Sequence, residues 1–239
     1  MSYPDPSPQA DFAAHAEGLA RHVLGALRGT QEPPGPAAFV ARAADTKAAL
    51  AAVRVLGPDV FAPLLLTGAP FGPADRDAVA EAFRIFPPAL PPLPPDGREA
   101  AWRDHAGAVL LARHGGEAPA GAAPPPVPAA RLAWREGARV LTRLAPLALP
   151  GVPGPFPEPP AAHLTTACRG LVRSLLRRDH ATAARLARWV AFAARDTPAP
   201  LDVAPALRHL ELCGGNGARI ALDIEIARRL AAGREGRAG

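Results

Sequence analysis

Lysine, tyrosine and methionine are almost missing from this sequence of 239 residues, which contains one tyrosine, one methionine and a single lysine, Lys47. Aromatic residues make up 5% of the chain although 49% of it is hydrophobic, so alanine supplies much of the apolar content. A β-sandwich needs valine, isoleucine, threonine and aromatic residues, whereas alanine favours closely packed helices. The composition therefore argues against a sheet.

Cysteine is also scarce, since the chain contains only Cys168 and Cys213. They form no CxxC pair, and the seven histidines show no spacing typical of metal ligands, so we expect neither a metal nor another cofactor. Two small buried thiols are typical of a reducing cytoplasm. No basic segment followed by an apolar run begins the chain, and we find no apolar stretch of roughly 18 residues. A cytoplasmic protein without a membrane span is expected.

Basic residues outnumber acidic ones by 27 to 22, which gives a formal charge of +5. Nearly all of the basic residues are arginines, and together with the abundant alanine, glycine and proline this is typical of a GC-rich bacterial genome. The charges are spread over several segments, and no nucleic-acid recognition motif is present. The arginine excess is therefore poor evidence for binding of nucleic acid.

Apolar residues recur at helical spacing along most of the chain, and no segment alternates as a half-buried strand does. The pattern predicts an all-α fold of eight to ten amphipathic helices, packed as hairpins in a bundle or a short array. Proline-rich connectors are expected at 87–95 and 150–160. Residues 115–128 lack periodicity and predict a flexible linker between helical subdomains at 1–114 and 129–239, unless the chain is one continuous domain.

The run VLGPDVFAPLL, from Val55 to Leu65, places a Gly-Pro turn between two apolar stretches. Over about 20 residues this run resembles the turn between paired helices in HEAT-like repeat proteins, and the segment from Leu171 to Leu186 is a looser echo of it. The resemblance implies stacked helical pairs. Such a stack offers a concave surface to a peptide or protein partner.

The last predicted helix, at about 217–232, is apolar over most of its circumference and is therefore expected to be buried. Its narrow polar face consists of Glu225, Arg228 and Arg229. Asp223 lies within the apolar part, and a buried carboxylate is costly unless it is paired. One interpretation is a structural salt bridge, either to Arg219 or to an arginine of another helix. The other is that Asp223 is a general base or ligand contact with a raised pKa. It is the one catalytic candidate.

A glycine-rich turn precedes this helix and contains Gly214, Gly215, Asn216 and Gly217. One interpretation is a simple pair of caps, in which glycine ends one helix and Asn216 begins the next. The other is an anion cradle, in which free N–H groups and Arg219 bind a phosphate or carboxylate. Arg169 and Arg173 are further ligand candidates. They lie on the basic face of a helix whose apolar face contains Leu164, Cys168, Leu171, Val172, Leu175 and Leu176.

The sequence contains no GxSxG elbow, GxxxxGK[ST] loop or HExxH motif. The first hypothesis is therefore a non-catalytic scaffold or a binding module for an unknown protein or peptide. The alternative is an enzyme or small-ligand binder with a pocket between helices, near Asp223 and the turn from Cys213 to Gly217. Nucleic-acid binding ranks last. The hypotheses differ in whether the chain is an enzyme, and both stay open at this stage, as does the oligomeric state.

Overall fold

The structure is a computed structural model that describes residues 8–89, 93, 97–127, 129–214 and 217–235. Within these residues the regular structure is helical and includes no strand, which confirms the predicted all-α class. The helices are α1 (Pro8–Leu27), α2 (Pro36–Arg42), α3 (Thr46–Leu56), α4 (Ala62–Thr67), α5 (Pro73–Ile85), α6 (Arg98–Arg113), α7 (Trp134–Arg143), α8 (Leu164–Leu176), α9 (His180–Ala193), α10 (Val203–Cys213) and α11 (Ala218–Glu235). Short 3-10 turns lie at Gly57–Phe61, Ala129–Arg131, Ala145–Leu147 and Pro160–His163.

Several helices begin where a capping side chain stands in the sequence. The carboxylate of Asp45 accepts a hydrogen bond from the backbone N–H of Ala48 at 2.9 Å, and this cap separates α3 from α2. Asp179 accepts from the N–H of Thr182 at 3.1 Å and begins α9 in the same way. Pro73 opens α5, since proline in a first turn gives up no intrahelical bond. Local sequence thus sets the bounds of these elements.

Helix α9 is the central element of the C-terminal half and packs against α8, α10 and α11. From Ala183 to Ala193 this helix is buried on nearly every side, and its buried side chains are mostly those of alanine, leucine, tryptophan and valine. Arg188 falls within this stretch and is fully buried, with a relative exposure of 0%. A charged side chain at the centre of the protein needs partners, and those partners shape the candidate site described below.

Helix α11 lies against α1, α9 and α10, and most of its apolar side chains are buried, which confirms the predicted burial of this helix. Asp223 is buried with it at 8% exposure. Glu225, which belongs to the narrow polar face, is buried as well, at 4% exposure. Two arginines of its own helix surround the Glu225 carboxylate, Arg228 at 2.6 Å and Arg229 at 3.0 Å, and Arg28 of α1 approaches it at 3.4 Å.

One cluster of buried apolar side chains runs from α1 to α11, so the two predicted subdomains share a core. The described part of the predicted linker, 115–127, lies on the protein surface and is bonded to it. Val127 is buried and donates its N–H to the carbonyl of Pro155 at 2.8 Å. The indole of Trp102 donates to the carbonyl of Pro125 at 3.0 Å. Residue 128 lies outside the described residues, as does most of the proline-rich connector at 87–95.

The helical stretch Thr46–Thr67 is long and apolar enough to cross a membrane, with a mean hydropathy of 1.7 over an 18-residue window. The expectation that no such stretch exists was therefore wrong. However, 61% of that window is buried inside the protein, and a core helix passes the same test of length and composition. The stretch is consequently weak evidence for a membrane span.

Candidate functional site

A cavity of about 410 Å³ opens between α3, α6, α7, α9 and α11. We call it the arginine cavity, because four arginines and three carboxylates line it: Arg103, Arg143, Arg185, Arg219, Asp59, Glu99 and Asp223. Its apolar wall comes from residues such as Leu56, Ala145 and Leu222. Cavities of a few hundred Å³ with a small number of converging polar groups are the usual shape of small-molecule sites.

The floor of the arginine cavity is a buried cluster of two aspartates around Arg188. The guanidinium donates two parallel bonds to Asp59, at 3.0 Å from Nη1 and 2.7 Å from Nη2. Nη1 also donates to Asp223 Oδ1 at 2.7 Å. The 3-10 turn between α3 and α4 supplies Asp59, so the cluster links that turn to α9 and α11. Bidentate pairing of this kind suits the planar fork of arginine and fixes its direction.

Burial and charge oppose each other in this cluster. Burial alone would lower the pKa of Arg188, but the two adjoining carboxylates outweigh it and raise that pKa above its ordinary value. Burial raises the pKa of Asp223, and the Arg188 guanidinium opposes part of that rise. Arg185 adds a second positive charge 3.8 Å from Asp223 Oδ2. With close hydrogen bonds on both sides, the cluster is a charged structural element and not a free acid or base.

Asp223 was the one catalytic candidate, and the structure places it on the cavity wall with its Oδ1 held by Arg188. This is the predicted structural alternative, a pair with an arginine of another helix, and the partner is not Arg219. A general base needs a carboxylate free to take a proton from a bound substrate. The geometry therefore favours a structural role for Asp223.

Arg103 of α6 makes no hydrogen bond or ion pair with the described residues, whereas both Nη atoms of Arg188 are bonded to carboxylates. The Nε of each arginine is buried without a partner. Burial lowers the pKa of Arg103, the guanidinium groups of Arg219 and Arg185 lower it further, and the charges of Asp104 and Asp59 oppose the shift. Asp104 is itself occupied by Arg54, at 2.9 Å. A desolvated cation facing other cations is unfavourable until an anion reaches it.

Counting charges shows the same imbalance. Five guanidinium groups, the four on the wall and Arg188 beneath them, face three carboxylates, which leaves a formal excess of two positive charges. Glu99 lies 3.7 Å from Arg143, and Asp59 and Asp223 are taken by Arg188. Every carboxylate of the cavity is therefore engaged, while the arginine charge is not fully neutralised.

The predicted cradle at the start of α11 has an occupant from within the chain. The carboxylate of Glu17, on α1, accepts hydrogen bonds from the N–H groups of Ala218 at 2.7 Å and of Arg219 at 3.4 Å. An external anion at this helix start would have to displace it. Gly215 and Asn216 lie outside the described residues, while Gly214 and Gly217 flank them. The ligand role of this turn stays a prediction.

The predicted ligand arginines separate into two places. Arg219 lines the arginine cavity, whereas Arg169 and Arg173 line a groove on the exposed face of α8. No group of three or more histidine, cysteine, aspartate or glutamate side chains in the described part of the chain is arranged to hold a metal ion. The rings of His163 and Phe156 are tilted against each other with their centroids 4.3 Å apart, and the ring of His209 faces that of His180 at 6.2 Å.

Sequence reasoning missed Asp59, Arg103 and Arg188 as site residues. Spacing along α9 does not distinguish Arg188 from Arg185, which lies one turn earlier and has a side chain that is 35% exposed. Arg103 lies in an amphipathic helix, and its sequence position gives no sign of its burial.

The fold and the site define a class: an all-α protein in which a buried aspartate–arginine–aspartate cluster underlies a cationic cavity between helices. Comparison of the chain with protein-family models, with curated proteins and with solved structures finds no match. Function is therefore argued from the site alone.

Proposed function

We propose that the protein binds a small anionic ligand, a metabolite with a phosphate or carboxylate group, in the arginine cavity. The observation that carries this proposal is the guanidinium of Arg103, which lines the cavity without a hydrogen bond or ion pair to any described residue and so lacks an acceptor. Guanidinium groups bind phosphate and carboxylate through parallel charge-assisted hydrogen bonds. An anion between Arg103, Arg185 and Arg219 supplies that acceptor and offsets the excess positive charge.

The cluster beneath the cavity supports binding more than catalysis. Because Asp59 and Asp223 are fixed by Arg188, they hold the wall in place without offering a free proton acceptor. Preorganised cations on rigid helices bind an anion with little loss of side-chain entropy. The ligand we propose is therefore held and not transformed by the groups present.

Isothermal titration calorimetry tests the proposal with four probes: inorganic phosphate, pyrophosphate, succinate and citrate. A comparison of the affinities for the two phosphates with those for the two carboxylates identifies which anionic group the cavity prefers. At least one of the four is expected to bind the wild-type protein. Arg103→Gln should weaken that binding by roughly 10- to 100-fold, the loss of one charge-assisted hydrogen bond to a charged ligand.

Arg139→Gln is the matched control. Arg139 lies one turn before Arg143 on the same helix but does not line the cavity, so the change removes the same charge nearby. Its effect should stay within about twofold, as for an ordinary surface substitution. The proposal fails if none of the four anions binds, or if Arg103→Gln and Arg139→Gln weaken binding equally.

A second function, binding of a protein partner, is supported by a different surface, the apolar stripe that α8 leaves exposed.

A further inference from the structure

Helix α8 buries only part of its apolar face. Leu164, Cys168 and Leu171 are buried as predicted, but Val172 is 43% exposed and Leu176 is 81% exposed. No described element covers these two aliphatic side chains, although they continue the same stripe. Large aliphatic groups left in water along a continuous stripe are typical of an interaction surface.

The exposed stripe borders a groove of about 660 Å³, which we call the α8 groove. Its lining residues are Trp134, Thr165, Cys168, Arg169, Val172, Arg173, Leu176, Arg177, Pro200 and Leu201. From Thr165 to Arg177 the helix extends about 18 Å at 1.5 Å per residue, which matches three turns of a partner helix. The groove is independent of the arginine cavity and shares none of its lining residues.

Charge gives the α8 groove a definite preference. Three of its lining residues are arginines spaced four apart, and none of the described lining residues is acidic. The side chains of Arg169 and Arg177 have no hydrogen bond or ion pair within the described part of the chain, and Arg173 lies 6.0 Å from the ring of Trp134. An apolar floor beside a row of arginines that no described carboxylate pairs with is complementary to a helix that carries leucine-type residues on one face and carboxylates beside them.

We propose that the α8 groove binds an acidic amphipathic helix of a partner protein. The apolar side chains of the partner helix pack on Val172 and Leu176, and its carboxylates pair with the three arginines. A second copy of this chain fits poorly, because a two-fold interface would place the arginine row opposite its own like charges. Nucleic acid fits poorly as well, since its backbone gains little from two aliphatic side chains and the groove offers a single aromatic platform, Trp134. These alternatives become outcomes of the test.

Selection from a displayed library of random peptides, on the full chain with counterselection on Leu176→Asp, tests the proposal. Leu176 is largely exposed, so the substitution leaves the core intact. Enriched peptides should combine apolar residues at positions i, i+3 or i+4 and i+7 with aspartate or glutamate on the flanks. Enrichment of neutral or basic peptides, or no enrichment, overturns the proposal.

The affinity of an enriched peptide, measured by fluorescence anisotropy, gives the quantitative arm. Leu176→Asp and Arg177→Glu should each weaken binding at least about tenfold, which is typical of truncating a central interface contact. Leu212→Asp is the matched control, because Leu212 is 86% exposed at the end of α10 and lies outside the groove. Binding should also weaken with added salt. Equal losses for Leu176→Asp and Leu212→Asp overturn the proposal.

Two further probes identify the rival ligands. A single-stranded oligonucleotide and vesicles of phosphatidylcholine mixed with phosphatidylglycerol should each bind more weakly than the enriched peptide. If either binds more tightly, is lost in Arg177→Glu and is insensitive to Leu176→Asp, the surface is an electrostatic site for nucleic acid or lipid, and the peptide proposal is wrong.

Discussion

The guanidinium of Arg188 donates to the carboxylate of Asp223 at 2.7 Å, in a place where both side chains are buried, and the same guanidinium holds Asp59 at 2.7 and 3.0 Å. One arginine thereby joins α9, α11 and the turn after α3. Paired buried charges are not by themselves strong sources of stability, but leaving one of them without its partner is expensive. The consequences are measurable.

Replacing the central arginine should destabilise the protein severely. In Arg188→Met the two aspartates remain buried beside each other without a cation, and the free energy of unfolding should fall by about 3–5 kcal/mol. Urea unfolding followed by tryptophan fluorescence measures this loss, with buried Trp189 as the reporter. The triple variant Arg188→Met, Asp59→Leu, Asp223→Leu removes all three charges and should recover most of that stability. A triple variant no more stable than Arg188→Met would contradict this account.

Asp223→Asn distinguishes a structural aspartate from a functional one. It removes the charge that faces Arg188 and Arg185, so we expect the free energy of unfolding to fall by about 1–3 kcal/mol in urea unfolding. The anion affinity of the folded protein should not fall, because no negative charge at the cavity is needed to bind an anion. Asp77→Asn, at an exposed position, is the control and should leave stability unchanged. Full stability with lost binding would instead make Asp223 a ligand contact.

In the absence of ligand, Arg103 should lower the free energy of unfolding, because like charges gathered at a binding site repel one another. Arg103→Gln relieves its burial and its repulsion with Arg185 and Arg219, so the free energy of unfolding should rise by about 0.5–2 kcal/mol. Thermal and urea unfolding in a buffer without multivalent anions measure the change.

Arg54→Gln is the contrasting variant for Arg103→Gln. Arg54 donates to the Phe86 carbonyl at 2.8 Å, pairs with Asp104 and lies 4.2 Å from the ring of Phe83. Its loss should therefore lower the free energy of unfolding by about 1–3 kcal/mol. If both substitutions destabilise alike, Arg103 is a structural residue and its uncompensated charge carries no functional meaning.

His163 should make the protein less stable at mildly acidic pH. His163 is 2% exposed, and burial lowers the pKa of its imidazole, with nearby Glu158 opposing the shift. Because the folded-state pKa lies below the unfolded value of about 6.5, the unfolded chain binds the proton more readily. Stability is then retained above that value and decreases as the pH falls through it towards the folded-state pKa.

Urea unfolding of the wild type and of His163→Gln between about pH 5 and pH 7.5 tests this sign. The wild type should lose stability on acidification, and the variant should show a smaller slope. His22 is buried, its pKa is lowered by burial, and it adds a contribution of the same sign that both proteins share. His209→Gln, at an exposed position, controls for the loss of an imidazole. Identical slopes in the wild type and His163→Gln would contradict the prediction.

Much of the fold could be predicted because its determinants are local. Helical spacing of apolar residues, and capping residues such as Asp45 and Asp179, act within a few positions of the chain. The burial of Asp223 was predictable for the same reason, since α11 is apolar over most of its circumference. The same argument does not reach Arg188, because Arg185 lies one turn away on the same helix and its side chain is 35% exposed.

The candidate sites depend on which helices meet, and spacing along one helix carries no information about that. Arg188 and Asp59 are 129 residues apart in the chain, and Glu17 reaches the start of α11 across 201 residues. The exposed half of the α8 stripe shows the same dependence on tertiary packing. The sequence determined that Val172 and Leu176 share an apolar face with Leu171, because that follows from 3.6 residues per turn. Only tertiary packing decided that Leu171 is buried and Leu176 is left in water, because α7 and α9 pack against one part of α8 and not against the rest of its apolar face.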